Sequence, residues 1–207
     1  MARTDYHHGD LRAALVRAAF ALARRDGPDG VTLRRVAARA GVSEAAPYHH
    51  FADKRTLLGA AAGVGFEALD KRVVEAVAGL DPAGSLAAFA ATYVAYAVDE
   101  PGAFRLMFGA HVAELDLAAI PETAIPGRRL KARTRAMAHE CTAAHAETLF
   151  QMAWAQSQGM AWLVVEKELH PEGRGAASAQ LACEVARDAV RRLVESFAES
   201  GCADRST

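Results

Sequence analysis

The sequence contains few cysteines and no long apolar segment. Its 207 residues include three cysteines, Cys141, Cys183 and Cys202. An odd number of thiols at long spacings matches neither a secreted disulfide framework nor a zinc finger, and it favours reduced thiols. No apolar stretch reaches the roughly 18 residues that span a bilayer, and the N-terminus lacks the apolar core of a signal peptide. We therefore expect a cytoplasmic protein with no membrane partner.

The sequence signatures of common enzyme classes are also missing. We find neither the Gly-x-Ser-x-Gly turn of hydrolases nor the Gly-x-x-x-x-Gly-Lys-Ser/Thr loop that cradles phosphates. The His-Glu-x-x-His pattern of zinc proteases is absent, and no glycine-rich run has the strand-turn-helix context of a dinucleotide site. The sequence thus predicts no catalytic residue, no cofactor and no enzymatic activity.

Positive charge is concentrated at the N-terminal end, although the formal net charge of the whole chain is only −1. Residues 1–55 contain ten lysines and arginines against six carboxylates, a net charge of +4. The remainder contains 14 basic residues against 19 acidic ones, a net charge of −5. This asymmetry suggests that the N-terminal part meets a polyanion and that the rest of the chain does something else.

Apolar residues recur with helical spacing along almost the whole chain, and none of the runs alternates as a strand would. In the first helix, Leu11, Leu15 and Leu22 form one amphipathic stripe. The pattern predicts an all-α protein of about nine helices, with an irregular segment at residues 109–127. The expected helix starts lie near these residues: Asp10, Thr32, Ser43, Asp53, Ser85, Pro101, Arg128, Ala146 and Ala176.

Residues Val31–His50 predict a helix-turn-helix. A helix of about eight residues follows the cap Thr32, and Gly41 opens a turn in which we expect positive φ. The second short helix would project its side chains into a major groove of DNA. Tyr48 can offer its hydroxyl to one phosphate, Lys54 can neutralise a second, and Thr32 can bind a third.

A combined spacing over about fifty residues identifies a family. The motifs are Val31-Thr32-Leu33-Arg34-Arg35-Val36-Ala37, Ala40-Gly41-Val42-Ser43 and Tyr48-His49-His50-Phe51-x-x-Lys54-x-x-Leu57, with Tyr6-His7-His8-Gly9-Asp10-Leu11-Arg12 before them. Over about residues 7–60 the chain resembles the DNA-binding domain of TetR-type transcriptional regulators. By position, the residues that match the usual DNA-contacting sites of that family are Thr32, Ser43, Ala45, Tyr48, His49, His50 and Lys54. Arg34 and Glu44 complete the set of predicted DNA contacts.

The resemblance implies two domains and a function. Residues 1–55 would bind DNA, and residues 56–207 would bind a ligand and dimerise. The implied function is a ligand-responsive transcriptional regulator, most often a repressor, that binds a palindromic operator on double-stranded DNA as a homodimer. A small organic effector would release it or change its state. Two alternatives stay open: a helical small-molecule-binding protein without operator function, and a ligand-independent DNA-binding activator.

Individual residues of the N-terminal domain allow more than one interpretation. Pro47 departs from the family pattern and removes about one hydrogen bond from the predicted recognition helix. Glu44 either accepts a hydrogen bond from a cytosine amine or merely favours the helix N-terminus. His50 either contacts a phosphate or caps the end of that helix. The pair His7-His8 forms either a minor-groove arm or a frayed terminus.

The C-terminal half contains the segments Pro101-Gly102-Ala103-Phe104-Arg105-Leu106-Met107-Phe108-Gly109 and Trp154-x-x-x-Gln158-Gly159. The first is similar to a segment common in a TetR subgroup that is named for a Trp-His-Gly motif. The second stands in the place of that motif, with Gln158 where the His would be. Most aromatic residues here should be core, and a few should line a small-molecule pocket between helices. Apolar stripes on the last two helices predict a two-fold dimer interface, with monomer core as the alternative. The stripes include Met152, Leu163 and Val164 on one helix and Leu181, Val185, Ala189, Leu193 and Phe197 on the other. The candidate pocket residues are Tyr93, Phe104, Phe150, Trp154 and Gln158.

A metal site is not predicted, although His139, Cys141 and His145 lie close together in the sequence. On one helix, Cys141 and His145 would share a face while His139 would point away. Two ligands from a single face make a poor site.

Overall fold

A computed structural model of the chain describes residues 8–109, 126–166 and 176–203. Within these ranges the chain forms eight α-helices and one 3₁₀ helix and contains no strand, which confirms the all-α prediction. The elements are α1 (His8–Asp26), α2 (Leu33–Ala40), the 3₁₀ helix (Ala46–His49), α3 (Lys54–Val77), α4 (Pro82–Asp99), α5 (Pro101–Phe108), α6 (Pro126–Cys141), α7 (Ala146–Val165) and α8 (Ala176–Ala203).

Some sequence-based expectations fall outside the described residues. These are most of the irregular segment at 109–127, the break near His170 and the arm at His7-His8, of which neither side chain is described. Within the described helices, no segment is long and apolar enough to cross a membrane.

The described residues form two compact units. One contains residues 8–67 and 100–109, and the other contains residues 68–99, 126–166 and 176–203. The division reflects which residues pack against one another. The predicted boundary after residue 55 separates DNA-binding from ligand-binding residues, and it stays a prediction.

The core of the first unit is built on the apolar stripe of α1. Leu15 and Leu22 are buried and share one core with Val36 of α2 and Leu57 of α3. α1 starts two residues before the predicted cap Asp10, which therefore lies inside the helix. The helix ends at Asp26, immediately before the glycine-rich turn that the sequence indicates.

In the same unit, α5 approaches the end of α1 closely. A Cβ added at Gly102 would lie 2.4 Å from the carbonyl oxygen of Ala23 and 2.5 Å from that of Arg24. Arg24 Nε also donates to Glu100 Oε2 at 2.6 Å, directly before α5 begins. Because glycine has no Cβ, it allows this approach of two backbones.

The second unit is organised around α4. Leu86, Phe89, Tyr93 and Val94 are all buried, and a helix buried on nearly every side needs neighbours all round. Those neighbours are α6, α7 and α8. α8 contributes small and medium apolar residues at four-residue spacing, which are Ala182, Ala186, Val190 and Val194.

Two helix ends in the second unit differ from the predictions. α4 begins at Pro82 rather than Ser85, because Asp81 Oδ1 accepts the Gly84 N–H at 2.6 Å and caps the helix. Proline suits the first helical position, where its missing N–H leaves no bond unmade. α6 ends at Cys141, about three residues before the predicted end.

Candidate nucleic-acid interface and effector site

The cap and the glycine turn predicted for the first helix of the helix-turn-helix are present. Thr32 Oγ1 accepts the Arg35 N–H at 3.2 Å and caps α2. Gly41 has a φ of 72°, as its place in the turn predicts. The N–H groups of Gly41 and Val42 then donate to carbonyls near the end of α2 at 3.3 and 3.1 Å, a geometry typical of a glycine-terminated helix. The first helix and its turn are therefore defined by local sequence.

The recognition element differs from the predicted α-helix capped by Ser43. The segment forms a 3₁₀ helix (Ala46–His49), and its N-cap Ala45 makes no side-chain cap bond. Pro47 has no N–H, so the Ser43 carbonyl cannot accept the α-helical bond from it. That carbonyl instead accepts the Ala46 N–H at 3.0 Å, one residue earlier. The effect of proline is thus larger than the loss of about one hydrogen bond.

This short element turns its apolar side inward and leaves polar groups outside. Pro47 is buried and Phe51 is 2 % exposed, whereas Tyr48 is 63 % exposed. The structure brings all predicted DNA contacts into the first unit. Those that are exposed are Thr32, Arg34, Ser43, Glu44, Ala45, Tyr48 and His49, and those that are half-buried are His50 and Lys54.

Lys54 and His50 lie at helix ends. Lys54 begins α3, whose predicted cap Asp53 is confirmed, because Asp53 Oδ1 accepts the Thr56 N–H at 2.7 Å. This backbone hydrogen bond is the main reason why the pKa of Asp53 lies below its ordinary value. His50 occupies the C-cap position of the 3₁₀ helix and donates its N–H to the Pro47 carbonyl at 3.0 Å. Its position fits the capping interpretation, and phosphate contact by His50 stays a prediction.

Two neighbouring arginines on α2 have different surroundings. Arg35 donates to the Asp26 carboxylate and to the Gly30 carbonyl. These hydrogen bonds connect α2 to the end of α1 and to the turn between the two helices. Hydrogen bonds from Arg25 and, next in effect, from Arg35 lower the pKa of Asp26. Arg34 instead forms an ion pair across the turn with Glu44, with 3.4 Å between Nε and Oε1. The sequence reading missed this pair, although both residues were candidate DNA contacts.

Four of the five predicted pocket residues lie in the second unit. The Tyr93 hydroxyl donates to Gln158 Oε1, and burial raises the pKa of Tyr93 well above its ordinary value. The Trp154 ring centroid lies 5.6 Å from that of Tyr93 and 6.0 Å from that of Phe150. These residues form an aromatic cluster with one internal polar pair.

Phe104 lies in the first unit, where its ring centroid is 4.8 Å from that of Phe108. The other four candidates belong to the second unit. Sequence reasoning also missed Phe89, whose ring stacks on Trp154 at 5.9 Å. Its position four residues before Tyr93 on the same helix face was the available signal. Lys131 Nζ lies 5.3 Å from the Trp154 ring centroid.

The last two helices carry exposed apolar side chains. Met152 and Leu163 of α7 are 42 % and 36 % exposed, and Leu181 and Val185 of α8 are 51 % and 42 % exposed. These residues belong to the stripes predicted to form a dimer interface. Large exposed apolar side chains on neighbouring helices are typical of interaction surfaces.

The residues considered for a metal site do not lie on a single helix. Cys141 ends α6, whereas His145 lies beyond that helix at the N-cap of α7. The expectation that both share a helix face is therefore wrong. Burial raises the pKa of Cys141 to about 11, so the thiol stays protonated at neutral pH. Within the described part of the chain, no three histidine, cysteine or carboxylate side chains are placed to hold a metal ion.

Comparisons with known proteins agree with this arrangement. The family model for bacterial regulatory proteins of the tetR family matches residues 15–61, and that for the tetracyclin repressor-like C-terminal domain matches residues 86–197. A search of the curated proteins found no match. The Trp-His-Gly subgroup stays a prediction.

Three solved structures illustrate the similarity of the fold. A protein of unknown function from Rhodococcus sp. RHA1 is 29 % identical, with a TM-score of 0.68 over 92 % of this chain and 98 % of that one. SCO7222, a TetR from Streptomyces coelicolor, is 19 % identical, with a TM-score of 0.64 over 89 % and 96 %. A TetR variant from Acinetobacter baumannii AYE, in complex with minocycline, is 18 % identical, with a TM-score of 0.63 over 90 % and 96 %.

Proposed function

Because the chain belongs to the tetR family of bacterial regulatory proteins, we propose that it is a repressor that binds a palindromic operator as a homodimer and responds to a small organic effector. Members of this family are transcriptional regulators rather than enzymes. A protein that acts on chromosomal DNA in a bacterium works in the cytoplasm, which is where we place it.

The observation that carries the proposal is the helix-turn-helix in the first unit. Its capped helix α2 and its 3₁₀ helix hold exposed polar side chains next to a buried core. Tyr48 and Thr32 offer hydroxyls, and Lys54 offers a cation at the start of α3. Hydroxyls, cations and helix N-termini are the groups that bind DNA phosphates. The positive charge of residues 1–55 supports the same interpretation.

The exposed apolar residues of α7 and α8 support a homodimer. A two-fold dimer would present two recognition elements to successive major grooves about 34–36 Å apart, and so would favour a palindromic operator. Such an interface uses the same surface on both copies. Covering Met152, Leu163, Leu181 and Val185 would remove their apolar area from water.

The aromatic cluster of the second unit supports an effector site. Small-molecule sites are mostly apolar, with a few polar groups that fix orientation. Phe150 and Trp154 supply apolar surface, and the Tyr93–Gln158 pair supplies the polar groups. The structural neighbour from A. baumannii holds minocycline, and we propose for this chain only a small organic molecule. An effector that couples to DNA binding by about 1–3 kcal/mol would change operator affinity about 5- to 150-fold.

Fluorescence anisotropy tests the proposal. The purified protein is titrated into labelled DNA from the intergenic region beside its own gene, at two salt concentrations and with scrambled competitor. Tight, salt-dependent binding that resists the competitor is expected. Binding no stronger than to the scrambled duplex would instead favour a helical small-molecule-binding protein without operator function. If operator binding is seen but no compound in a broad metabolite panel shifts the melting temperature, a ligand-independent DNA binder is favoured.

A further inference from the structure

We propose that Glu44 is a positioning residue of the DNA interface, which holds the Arg34 guanidinium ready to bind a DNA phosphate. Glu44 itself then reads no base. The inference rests on the proposed function, since it concerns a protein that binds DNA through its helix-turn-helix.

The ion pair joins two elements across the helix-turn-helix. Arg34 is the second residue of α2, and Glu44 lies in the turn before the 3₁₀ helix. The closest approach is 3.4 Å between Arg34 Nε and Glu44 Oε1. Because Nε is the guanidinium nitrogen nearest the backbone, the pair restrains the group at its inner edge. The outer nitrogens keep N–H donors for a second anion.

Both side chains face solvent in the free protein. Their exposed fractions are 81 % for Arg34 and 74 % for Glu44. An ion pair this exposed contributes little to folding stability, because water and salt screen it. Its effect is therefore expected in DNA binding, where an arginine that is already restrained loses less conformational freedom.

The other two interpretations of Glu44 have less support from the contacts. The N-cap position of the 3₁₀ helix is occupied by Ala45, which makes no side-chain cap bond. Glu44 therefore does not occupy the capping position of the recognition element. A carboxylate that accepted a cytosine amine would also have to sit at a base edge while a neighbouring cation competes for it. The contact that the structure does show is the one to Arg34.

The place of Arg34 favours a phosphate as its target. The first helix of a helix-turn-helix crosses the DNA backbone, whereas the second element enters the groove. Arg34 lies in the first turn of that first helix, beside the cap Thr32. Arginine binds phosphate oxygens through two parallel N–H donors, so its orientation matters as well as its charge. Its neighbour Arg35 is already committed to Asp26 and Gly30.

This proposal predicts a change in DNA affinity opposite to the change expected from charge alone. Removing a negative charge near DNA should strengthen binding if charge alone matters. If Glu44 positions Arg34, the Glu44→Gln variant should bind about 2- to 5-fold more weakly, because an ion pair this exposed can restrain the arginine by no more than that. The Arg34→Ala variant should also bind more weakly, and its salt slope should fall by about one.

The experiment is a double-mutant cycle on the full-length protein. Wild type first selects its binding sequence from a random duplex library, and the selected duplex becomes the anisotropy probe. Kd is then measured for Glu44→Gln, Arg34→Ala and the double variant at four salt concentrations. Glu75→Gln is the matched control, because it removes the same charge from another exposed, ion-paired carboxylate, 64 % exposed and 4.0 Å from Lys71. Selections with Glu44→Gln report its base preference, and thermal unfolding checks that every variant is folded.

The expected result is weaker binding by Glu44→Gln with an unchanged preferred sequence, and no weakening when the same change is made in the Arg34→Ala background. Glu75→Gln should bind as wild type does. Unchanged or tighter binding by Glu44→Gln would overturn the proposal, as would an equal loss in both backgrounds. A changed preference at one base pair would overturn it too and assign base reading to Glu44. If wild type selects no sequence at all, the proposed function itself fails.

Discussion

The close approach of α5 to α1 predicts that a side chain larger than that of glycine at position 102 destabilises the fold. Gly102 lies where an added Cβ would be 2.4 Å from the Ala23 carbonyl oxygen and 2.5 Å from that of Arg24. Ordinary contact begins near 3.4 Å, so the Gly102→Ala variant requires a separation of about 1 Å between the two backbones. Neither carbonyl can rotate away as a side chain can, because both belong to the α1 backbone.

The expected size follows from overpacking. Forcing an extra carbon into a packed region typically costs about 1–3 kcal/mol. The helix preference of alanine over glycine returns at most about 1 kcal/mol. For a chain of this size, each kcal/mol lowers Tm by about 2–4 °C. Because the contact falls on backbone atoms, the upper part of the range applies, about 2–3 kcal/mol. The net loss of about 1–2 kcal/mol should lower Tm by about 2–8 °C, which differential scanning calorimetry measures directly.

A matched control distinguishes the effect of the close backbone contact from the effect of replacing glycine with alanine in a helix. Gly159 in α7 has no atom within 4 Å of an added Cβ. Gly159→Ala should therefore leave Tm unchanged or raise it, because alanine favours the helix. If Gly102→Ala unfolds at the wild-type temperature, the two backbones are not as close as the structure places them and the reasoning fails.

Three further predictions concern the first unit. Thr32→Ala should lower the free energy of unfolding by about 0.5–2 kcal/mol, because the Arg35 N–H loses its acceptor; an unchanged urea midpoint would contradict the cap. The pKa of Asp53 is lowered in the folded state. The ionised Asp53 carboxylate therefore stabilises the fold above its unfolded pKa of about 4, and this contribution is lost as pH falls below that value. Between about pH 5 and 2, the Asp53→Asn variant should lose less folding stability than wild type does. Lys54→Ala should weaken binding to all duplexes and reduce the salt slope by about one, and an unchanged slope in anisotropy titrations would exclude a phosphate contact.

Features set by a few neighbouring residues could be predicted from the sequence. The caps Thr32 and Asp53 and the positive φ of Gly41 depend on side chains and backbone within about four residues. The physical effects at these positions are local, so the pattern of residue types is enough to place them. The all-α fold follows in the same way from helical periodicity.

The 3₁₀ geometry of the recognition element could not be predicted from local sequence. The position of Pro47 was visible in the sequence, but its consequence depended on a balance between α and 3₁₀ hydrogen bonding over only four residues. In so short a helix, the loss of one N–H changes the hydrogen-bonding pattern of the whole element. Long-range features had no local signal at all. The approach of Gly102 to Ala23 and the ion pair of Arg34 with Glu44 both arise from packing.

The arrangement of apolar residues on α8 bears on the remaining choice between monomer core and dimer interface. Two adjacent stripes run along this helix. The stripe that is buried in the single chain begins with the small residues Ala182 and Ala186, whereas Leu181 and Val185 are 51 % and 42 % exposed. A helix that served only the core of one chain would gain more by turning its larger side chains inward, since the free energy of burial grows with apolar area. Small residues instead let α8 pack closely against α4 and α7 of the same chain. The larger residues stay exposed, where a second copy of the chain can cover them. This distribution favours the two-fold interface over the monomer-core alternative.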